Sequence, residues 1–349
     1  MSVINLPNLF YTPGPASGGV EEDLMSAGAD GVRLTFSYST PQYQLERAEF
    51  HRKISKKLGS SFIIAADLAG EKVRLGQFRH APTVPVMAGD EFQLVAGDLS
   101  DPSGERMLAV PSRSFFSRLT RGSLVTVGDG SAVFEVLKIG FETTSVVAVG
   151  NGTINQRRGL TVQGGGFMPV CLTDKDYADL RFVAETEAFD AVALSFVSSE
   201  ADVAQARNVL SSYASSLPII AKVETAVGID NLTEICNAAD IVMAARGDLA
   251  LAVPWVELPA AMDEIERASR QSGTPWILAT QVAEGLERFV MPTRAEICDL
   301  AHWLKLGCSG VLLSYETAFG ANPTQAVKVT RQMIERWGLR SPRPPAAVD

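Results

Sequence analysis

Residues 218–230 read PIIAKVETAVGID, a stretch in which two charged side chains end an apolar run. The run at residues 219–221 predicts a buried strand, and the pattern after Glu224 becomes helical. Because side chains alternate along a strand, Ile220, Lys222 and Glu224 share one face. A buried charge is costly unless it is paired or binds a ligand. The two charges therefore indicate a site where this strand ends.

The rest of the chain repeats this arrangement, with short apolar runs followed by amphipathic stretches, which is typical of βα units around a parallel sheet. The eight predicted strands cover residues 9–12, 31–36, 62–67, 191–196, 219–224, 241–246, 276–280 and 310–314. Eight such units in about 260 residues predict an α/β fold of the (β/α)8 TIM-barrel type. In such barrels the active site forms at the C-terminal ends of the strands.

One segment, residues 77–165, has a different pattern. Apolar and polar residues alternate there between Gly, Asp and Asn turns, with no good helix, which predicts a small antiparallel β-barrel domain inserted after the third strand. The barrel domain would then comprise residues 1–76 and 166–340. The Pro-rich residues 341–349 predict a disordered tail.

The composition narrows the class of protein. The 349 residues are 46% hydrophobic and carry a net charge of −9, which argues against nucleic-acid or anionic-membrane partners. The four cysteines are scattered without a CxxC pair, so we expect free thiols in a reducing compartment. There is neither a signal-peptide pattern nor an apolar run of membrane-span length, and we expect a cytoplasmic protein.

Other predicted strand ends carry side chains that could complete a site with Lys222. Glu224 and Asp248 offer the hard oxygen ligands that Mg²⁺ prefers, although salt bridges from Glu224 to Lys222 and from Asp248 to Arg246 would explain them equally well. Arginine forks suit phosphate, and a lysine can neutralise a developing enolate or phosphoryl group. These features together favour a phosphorylated, anionic substrate. The polar residues at the strand ends are Arg33, Asp67, Arg74, Arg246, Asp248 and Thr280.

Several longer motifs occur in an order that resembles the pyruvate kinase family from about residue 12 to 335. They are TPGPAS (12–17), GADGVRLTFS (28–37), ALSFVSSEADV (193–203), KVETAVGIDNLTEI (222–235), MAARGDLALAVPWVELP (243–259), ATQVAEG (279–285), PTRAEICDLA (292–301) and LLSYETAFGANPTQAV (312–327). The resemblance implies that phosphoenolpyruvate and ADP are converted to pyruvate and ATP, with Mg²⁺ or Mn²⁺ as the cofactor.

Roles for the central residues follow from the resemblance. Lys222 would stabilise the phosphoryl group in flight and the pyruvate enolate, while Glu224 and Asp248 would bind the divalent metal. Thr280 would help to protonate the enolate. The backbone amides from Arg246 through Gly247 to Asp248 would hold the substrate carboxylate, as helix N-termini do. The phosphate would be held by Arg33 and Arg74.

The inserted domain resembles the mobile lid that closes over the nucleotide in this family. The resemblance places Asp129, Arg157, Arg158 and Tyr38 near the nucleotide. Gly128 stands where the family usually has a further Asp, and Tyr38 replaces a His.

The monovalent-cation site of the family is altered. Thr35, Ser37, Asp67 and Leu68 occupy its ligand positions, and Lys72 stands where potassium-dependent members have Glu. A fixed ammonium can supply the charge of a bound cation, so the resemblance implies that potassium is not required. A solvated lysine on a short loop is the simpler alternative for Lys72.

The resemblance also sets expectations about assembly. The chain ends where the family usually continues into a C-terminal effector domain, so we expect a short form without that regulatory site. A homodimer through the barrel is possible, with PTRAEICDLAHWL at residues 292–304 in the contact region. Trp303, within that stretch, could instead pack inside the barrel domain.

Two other functions stay open on the sequence. A diverged barrel enzyme could act on another enolate or 2-oxo acid, as a lyase or a kinase, because Thr35, Tyr38 and Tyr315 depart from the family. A non-catalytic relative that binds a metabolite is the second alternative, and it has little need for Lys222 together with both carboxylates.

Overall fold

The computed structural model describes residues 8–37, 39–128, 130–140, 143–163 and 169–338. The chain divides into two compact units. The first, here called the barrel unit, comprises the chain up to Gly70, Val170–Gly247 and the chain from Pro259 onward. The second, here called the small unit, comprises Glu71–Pro169 and Asp248–Leu258.

The chain enters the barrel unit through three strands and two helices. These are β1 (Asn8–Tyr11), α1 (Glu21–Ser26), β2 (Gly31–Thr35), α2 (Pro41–Leu58) and β3 (Ile63–Asp67). Helix α2 has the start and stop signals expected of a helix, because Thr40 accepts a hydrogen bond from the Tyr43 N–H and Gly59 ends the helix in the left-handed region.

The next segment of the chain builds the small unit from short strands and one helical turn. These are β4 (Gln77–Phe78), β5 (Thr83–Val86), β6 (Glu91–Ala96), β7 (Leu99–Ser100), β8 (Met107–Val110), α3 (Arg113–Phe116), β9 (Leu124–Val127), β10 (Ala132–Ile139), β11 (Thr143–Ala148), β12 (Gly152–Asn155) and β13 (Leu160–Val162).

The remainder of the chain alternates strands with helices. Its elements are α4 (Asp174–Thr186), β14 (Ala191–Leu194), α5 (Glu200–Ser212), β15 (Ile219–Val223), α6 (Ala226–Asp230), α7 (Leu232–Ala238), β16 (Ile241–Ala245), α8 (Arg246–Ala252), a 3-10 helix (Trp255–Glu257), α9 (Leu258–Ser272), β17 (Trp276–Ala279), a second 3-10 helix (Glu284–Glu287), α10 (Arg294–Lys305), β18 (Gly310–Leu313), α11 (Tyr315–Ala318) and α12 (Pro323–Trp337).

Eight parallel strands close into a barrel in the order β1-β18-β17-β16-β15-β14-β3-β2. All eight predicted strands are present, and the predicted (β/α)8 barrel is confirmed. Residues at alternate strand positions pack together inside it, among them Phe10, Ala65, Ile220, Met243 and Leu312. Ile220 therefore lies in the interior, as the alternation at 220, 222 and 224 predicts.

The small unit contains a six-stranded sheet in the order β13-β9-β10-β11-β6-β8 and two two-stranded sheets. Most pairs are antiparallel, but β6 with β8 and β4 with β7 are parallel, and α3 adds one helical turn. The prediction of a purely antiparallel, helix-free insert is wrong in these details. The parallel pairs join strands separated by further turns, a pairing that local alternation does not encode.

Asp176 connects two distant parts of the barrel unit. Its side chain completes the capping box at the start of α4 together with Thr173. The Oδ1 atom of Asp176 also accepts hydrogen bonds from the Ala69 N–H at 3.0 Å and the Gly70 N–H at 3.1 Å. The carboxylate thus holds the loop where the chain leaves the barrel.

Within the described residues, no helix combines the length and the apolar character needed to cross a membrane. The four cysteines of the sequence are free thiols, as predicted.

Candidate active site

Lys222 lies inside the barrel unit at the C-terminal part of β15 and is 6% exposed. Its Nζ atom is 2.8 Å from Oδ1 of Asp67, at the end of β3, and 3.6 Å from Oε1 of Glu224. Both carboxylates are buried as well. The last residue of β3 and the residue that follows β15 thereby place two carboxylates beside one ammonium. This pairing explains how the buried charges at residues 222 and 224 are tolerated.

The two carboxylates decide the protonation state of Lys222. Burial alone lowers the pKa of a lysine because the charged form loses its hydration. Here the Coulombic attraction of Asp67 and Glu224, with the hydrogen bond to Asp67, outweighs burial and holds the pKa of Lys222 above its ordinary value. Lys222 is therefore an ammonium at neutral pH, as an electrostatic stabiliser must be.

Glu224 is fixed through the neighbouring strand. Its Oε2 atom accepts a hydrogen bond of 2.8 Å from the backbone N–H of Phe196. Phe196 follows β14 and has a φ of 55°, a left-handed conformation that is uncommon for a bulky side chain. The turn after β14 therefore aims an N–H at Glu224 and leaves its other oxygen toward Lys222.

Arg33 projects from β2 toward the same group, with its Nη1 atom 3.9 Å from Oδ2 of Asp67. Its Nε atom is buried and has no hydrogen-bond partner within the described residues. A buried donor without an acceptor is costly, and an anionic oxygen would satisfy it. This observation supports the predicted role of Arg33 as a ligand for phosphate.

The residues predicted for the cation site or its replacement fall into two groups. Thr35 and Asp67 are paired across β2 and β3, and the Ser37 N–H donates to Oγ1 of Thr35 at 3.4 Å. Leu68, the residue after Asp67, is fully buried and apolar. Lys72 belongs to the small unit, where its Nζ atom binds both oxygens of Asp248 at 2.9 and 2.7 Å.

The pairing of Lys72 bears on the salt-bridge alternative for the two acids. Glu224 does lie beside Lys222, as that alternative holds. Asp248 pairs with Lys72, whereas Arg246 pairs with Asp299 through a contact of 2.6 Å from Nη1 to Oδ2.

Thr280 follows β17 in a strained backbone conformation. Its φ is 71° and that of Gln281 is 53°, and such left-handed conformations cost on the order of 1–3 kcal/mol each in non-glycine residues. The Arg246 guanidinium donates to the Thr280 carbonyl from Nε at 3.1 Å and from Nη2 at 2.9 Å, and Nη2 also donates to the Gln281 carbonyl at 2.9 Å. Arg246 therefore holds this turn.

Gly247 permits the close approach of Thr280. A Cβ atom at position 247 would lie 3.1 Å from Cγ2 and 3.4 Å from Oγ1 of Thr280. The Thr280 hydroxyl is thus beside the backbone at the start of α8, and a larger residue at 247 would displace it.

The remaining predicted residues lie in the small unit or outside the described residues. Arg74 forms a bridge with Gly159 in the small unit, and its Nη1 atom donates to the Arg157 carbonyl at 3.4 Å. The Arg158 carbonyl accepts from the Leu75 N–H at 2.8 Å. Asp129 and Tyr38 lie outside the described residues.

The donor chemistry of the barrel unit fits a divalent metal with an anionic substrate. Lys222 and Arg33 balance Asp67 and Glu224, two cations against two anions, so the group is neutral by itself. A divalent ion would make it positive, which suits a phosphorylated acid. The part of the chain that the structure describes holds no cluster of three or more His, Cys, Asp or Glu residues suited to a metal.

Asp299 is the residue that sequence reasoning missed. It lies in α10, within the quoted motif PTRAEICDLA, and no strand-end signal points to it. The spacing of Asp299 and Trp303 by four residues in a helix was the available signal, because such residues are neighbours on one face.

We compared the sequence with family models and with known proteins, and both comparisons found similar chains. The family model "Pyruvate kinase, barrel domain" matches residues 7–327. A pyruvate kinase of Chlamydia trachomatis serovar D is 34% identical over 330 residues, covering 94% of this chain and 67% of that protein. A pyruvate kinase of Haemophilus influenzae is 35% identical over 313 residues, covering 88% and 64%. One of Agaricus bisporus is 35% identical over 325 residues, covering 91% and 61%.

Proposed function

The chain belongs to the pyruvate kinase family, and from this premise we propose that it converts phosphoenolpyruvate and ADP to pyruvate and ATP. As a member of this family it is an enzyme of the phosphotransferase class. The observation that carries the proposal is the buried ammonium of Lys222 between Asp67 and Glu224 at the strand ends.

The Lys222 ammonium acts where negative charge develops. Its position is fixed before substrate binds, because two carboxylates hold it and burial keeps water away. A preorganised charge of this kind stabilises the phosphoryl group in flight and the enolate that remains on pyruvate. Arg33 binds the phosphate through the buried Nε donor that lacks a partner in the described chain.

Glu224 and Asp248 would hold Mg²⁺ or Mn²⁺, which would supply charge neutralisation for the phosphoryl group. The N–H of Phe196 orients Glu224 for that purpose. Lys72 neutralises Asp248, since its Nζ atom contacts both Asp248 oxygens.

Thr280 moves a proton at the methylene carbon of the enolate, directly or through water. Its hydroxyl is placed by the strained turn after β17 and by the missing side chain at Gly247. The backbone N–H groups at the start of α8 bind the substrate carboxylate.

The enzyme is proposed not to require potassium. Lys72 supplies a positive charge in the protein itself, and Leu68 removes one oxygen ligand from the monovalent site. We expect Lys72→Glu to impose a potassium requirement or to lower turnover. Unchanged potassium-free kinetics in that variant would contradict the charge replacement.

The direct test supplies phosphoenolpyruvate, ADP and Mg²⁺ to the purified chain and measures pyruvate with and without potassium. The proposal expects turnover in both conditions. If a folded chain shows no turnover in both conditions, the proposed reaction is rejected. Lys57→Met is a matched control for lysine substitution, because Lys57 forms an exposed pair with Glu22.

A second candidate function rests on Tyr315, which begins α11 directly after β18. Its ring packs against Phe319 with a centroid distance of 5.6 Å, and both side chains are exposed. An aromatic pair at a strand end would favour a different enolate or 2-oxo acid. Slow conversion of phosphoenolpyruvate together with Mg²⁺-dependent proton exchange on pyruvate would support this candidate.

A further inference from the structure

We propose that Asp299 and Trp303 in α10 are positioning residues that fix the Thr280 hydroxyl through Arg246. The inference rests on the proposed function, since it concerns the proton step assigned to Thr280. Neither residue has a place in the reaction as derived so far, and all four residues belong to the barrel unit.

The geometry forms a continuous chain of charge-assisted hydrogen bonds. The indole Nε1–H of Trp303 donates to Oδ1 of Asp299 at 2.8 Å, and Oδ2 of Asp299 accepts from Nη1 of Arg246 at 2.6 Å. The opposite side of the guanidinium donates three hydrogen bonds to the carbonyls of Thr280 and Gln281. All three nitrogens of the Arg246 guanidinium therefore donate hydrogen bonds, and these bonds fix the orientation of the side chain.

The turn needs such support because its backbone is left-handed at two successive non-glycine residues, Thr280 and Gln281. Conformations of this kind persist where surrounding contacts determine them, and they cluster at functional sites. Removing the contacts would let the turn relax and would move the hydroxyl away from Gly247, where the two residues are in close contact.

Trp303 anchors the other end of the chain. It is 6% exposed, and its ring packs edge-on against Trp276 with a centroid distance of 5.9 Å. Trp276 opens β17, the strand that ends immediately before Thr280. The same strand is therefore held at its start by Trp303 and at its end by Arg246, and Asp299 joins the two contacts.

The alternative that Trp303 packs inside is confirmed by its burial, but packing alone does not account for its N–H. A phenylalanine would fill much of the same space without donating to Asp299. This difference separates a positioning role from a packing role.

The test compares Asp299→Asn and Trp303→Phe with the wild-type chain. Glu264→Gln is the matched control, because Glu264 also pairs with an arginine and its side chain is 40% exposed against 38% for Asp299. Three quantities are measured: kcat and KM for phosphoenolpyruvate, Mg²⁺-dependent incorporation of solvent deuterium into the pyruvate methyl group, and amide hydrogen exchange of peptides spanning residues 279–283.

We expect Asp299→Asn to lower kcat and the deuterium incorporation by about 10-fold, as expected for a displaced catalytic group, with KM changed by less than about twofold. Amide exchange at residues 279–283 should accelerate in the same variant. Trp303→Phe should shift all three quantities in the same direction by a smaller factor, and Asp299→Glu, which keeps the charge, should recover part of the loss.

Values for Asp299→Asn that match those of Glu264→Gln would overturn the inference. If Asp299→Asn fails to fold, Trp303→Phe decides in the same way, because it retains the ion pair. If the wild-type chain does not convert phosphoenolpyruvate, the proposed function fails, while amide exchange still decides whether Asp299 holds the turn.

Discussion

The two units of the chain differ in what they bury. All charged residues that are buried among the described residues lie in the barrel unit, including Asp67, Lys222 and Glu224. In the described part of the small unit the buried polar residues are uncharged, namely Ser100, Thr126 and Thr144. Burying ions is costly even when they are paired, and an apolar replacement often gives equal stability. The comparison teaches that, among the described residues, buried charge is confined to the barrel unit, where it serves structural contacts such as those of Asp176 as well as the candidate site, whereas the core of the small unit is built without it.

Lys222→Met is the strongest test of the difference between the two units. We expect turnover to fall by at least about 10²-fold, because the ammonium that stabilises the developing charge is lost. The free energy of unfolding should also fall by about 3–5 kcal/mol, since Asp67 and Glu224 are left buried without their cation. Steady-state assays and urea titration measure the two effects. A near-normal rate would show that the buried charge has no catalytic use.

Phe134→Ala tests the small unit in return. Phe134 is 1% exposed and packs edge-on against Phe92 in an apolar core. We expect the free energy of unfolding to fall by about 3–5 kcal/mol through cavity formation. Circular dichroism during urea titration measures it. Phe319→Ala, at a side chain that is 62% exposed, should change it by less than about 0.5 kcal/mol, and equal losses in both variants would refute the assigned core.

His51 sharpens the comparison, because it is a buried titratable group outside the candidate site. Burial lowers the pKa of His51 to about 4. Its Nδ1–H donates to the Arg47 carbonyl at 2.7 Å, and its Nε2 atom accepts from the Tyr11 hydroxyl at 2.7 Å. The folded pKa lies below the unfolded value, so the folded state binds fewer protons. The contribution of neutral His51 to the free energy of unfolding is therefore fully present above about pH 6.5. About 3 kcal/mol of it is lost as the pH falls toward 4.

This loss should disappear in His51→Gln when unfolding is measured across the same pH window. His80→Gln serves as the control, because His80 is exposed beside Asp101. An unchanged pH slope in His51→Gln would mean that other groups cause the acid sensitivity.

The smallest expected effect concerns α10, which carries Asp299. Thr293 and Glu296 form a capping box, in which the Glu296 N–H donates to Oγ1 of Thr293 at 3.3 Å and the Thr293 N–H donates to the Glu296 carboxylate at 2.7 Å. Thr293→Ala should lower the free energy of unfolding by about 1 kcal/mol. Thr233→Ala, at an exposed helical position, should leave the free energy of unfolding within about 0.5 kcal/mol of the wild-type value in the same titration.

The barrel was predictable because each of its strands is a compact apolar run, and closing the sheet buries those runs on both faces. The small unit was predictable as a β structure, but the parallel pair β6–β8 depends on register between strands that local alternation does not fix. Lys222 and Glu224 stand out because a charge on a buried strand is costly unless it is paired or binds a ligand.

The partners of these residues were harder to predict. Asp248 was expected to bind metal or Arg246, and its contact with Lys72 joins residues that are 176 positions apart. Arg246 and Asp299 are 53 positions apart, and neither position alone signals the other. Contacts of this range follow from how helices and loops pack, which a single sequence specifies only through the whole fold.

The contacts of Asp176 bear on how the barrel unit can change in evolution. It holds Ala69 and Gly70, at which the chain departs, while itself lying just beyond Val170, at which the chain returns. The strands on either side of this excursion, β3 and β14, pair directly in register, with Ala65 opposite Ala191. Contacts within the barrel unit thus fix both ends of the inserted segment. Insertions, deletions or replacements within the inserted segment can therefore arise in evolution without breaking the pairing of β3 with β14. A new activity can in this way appear on an existing barrel.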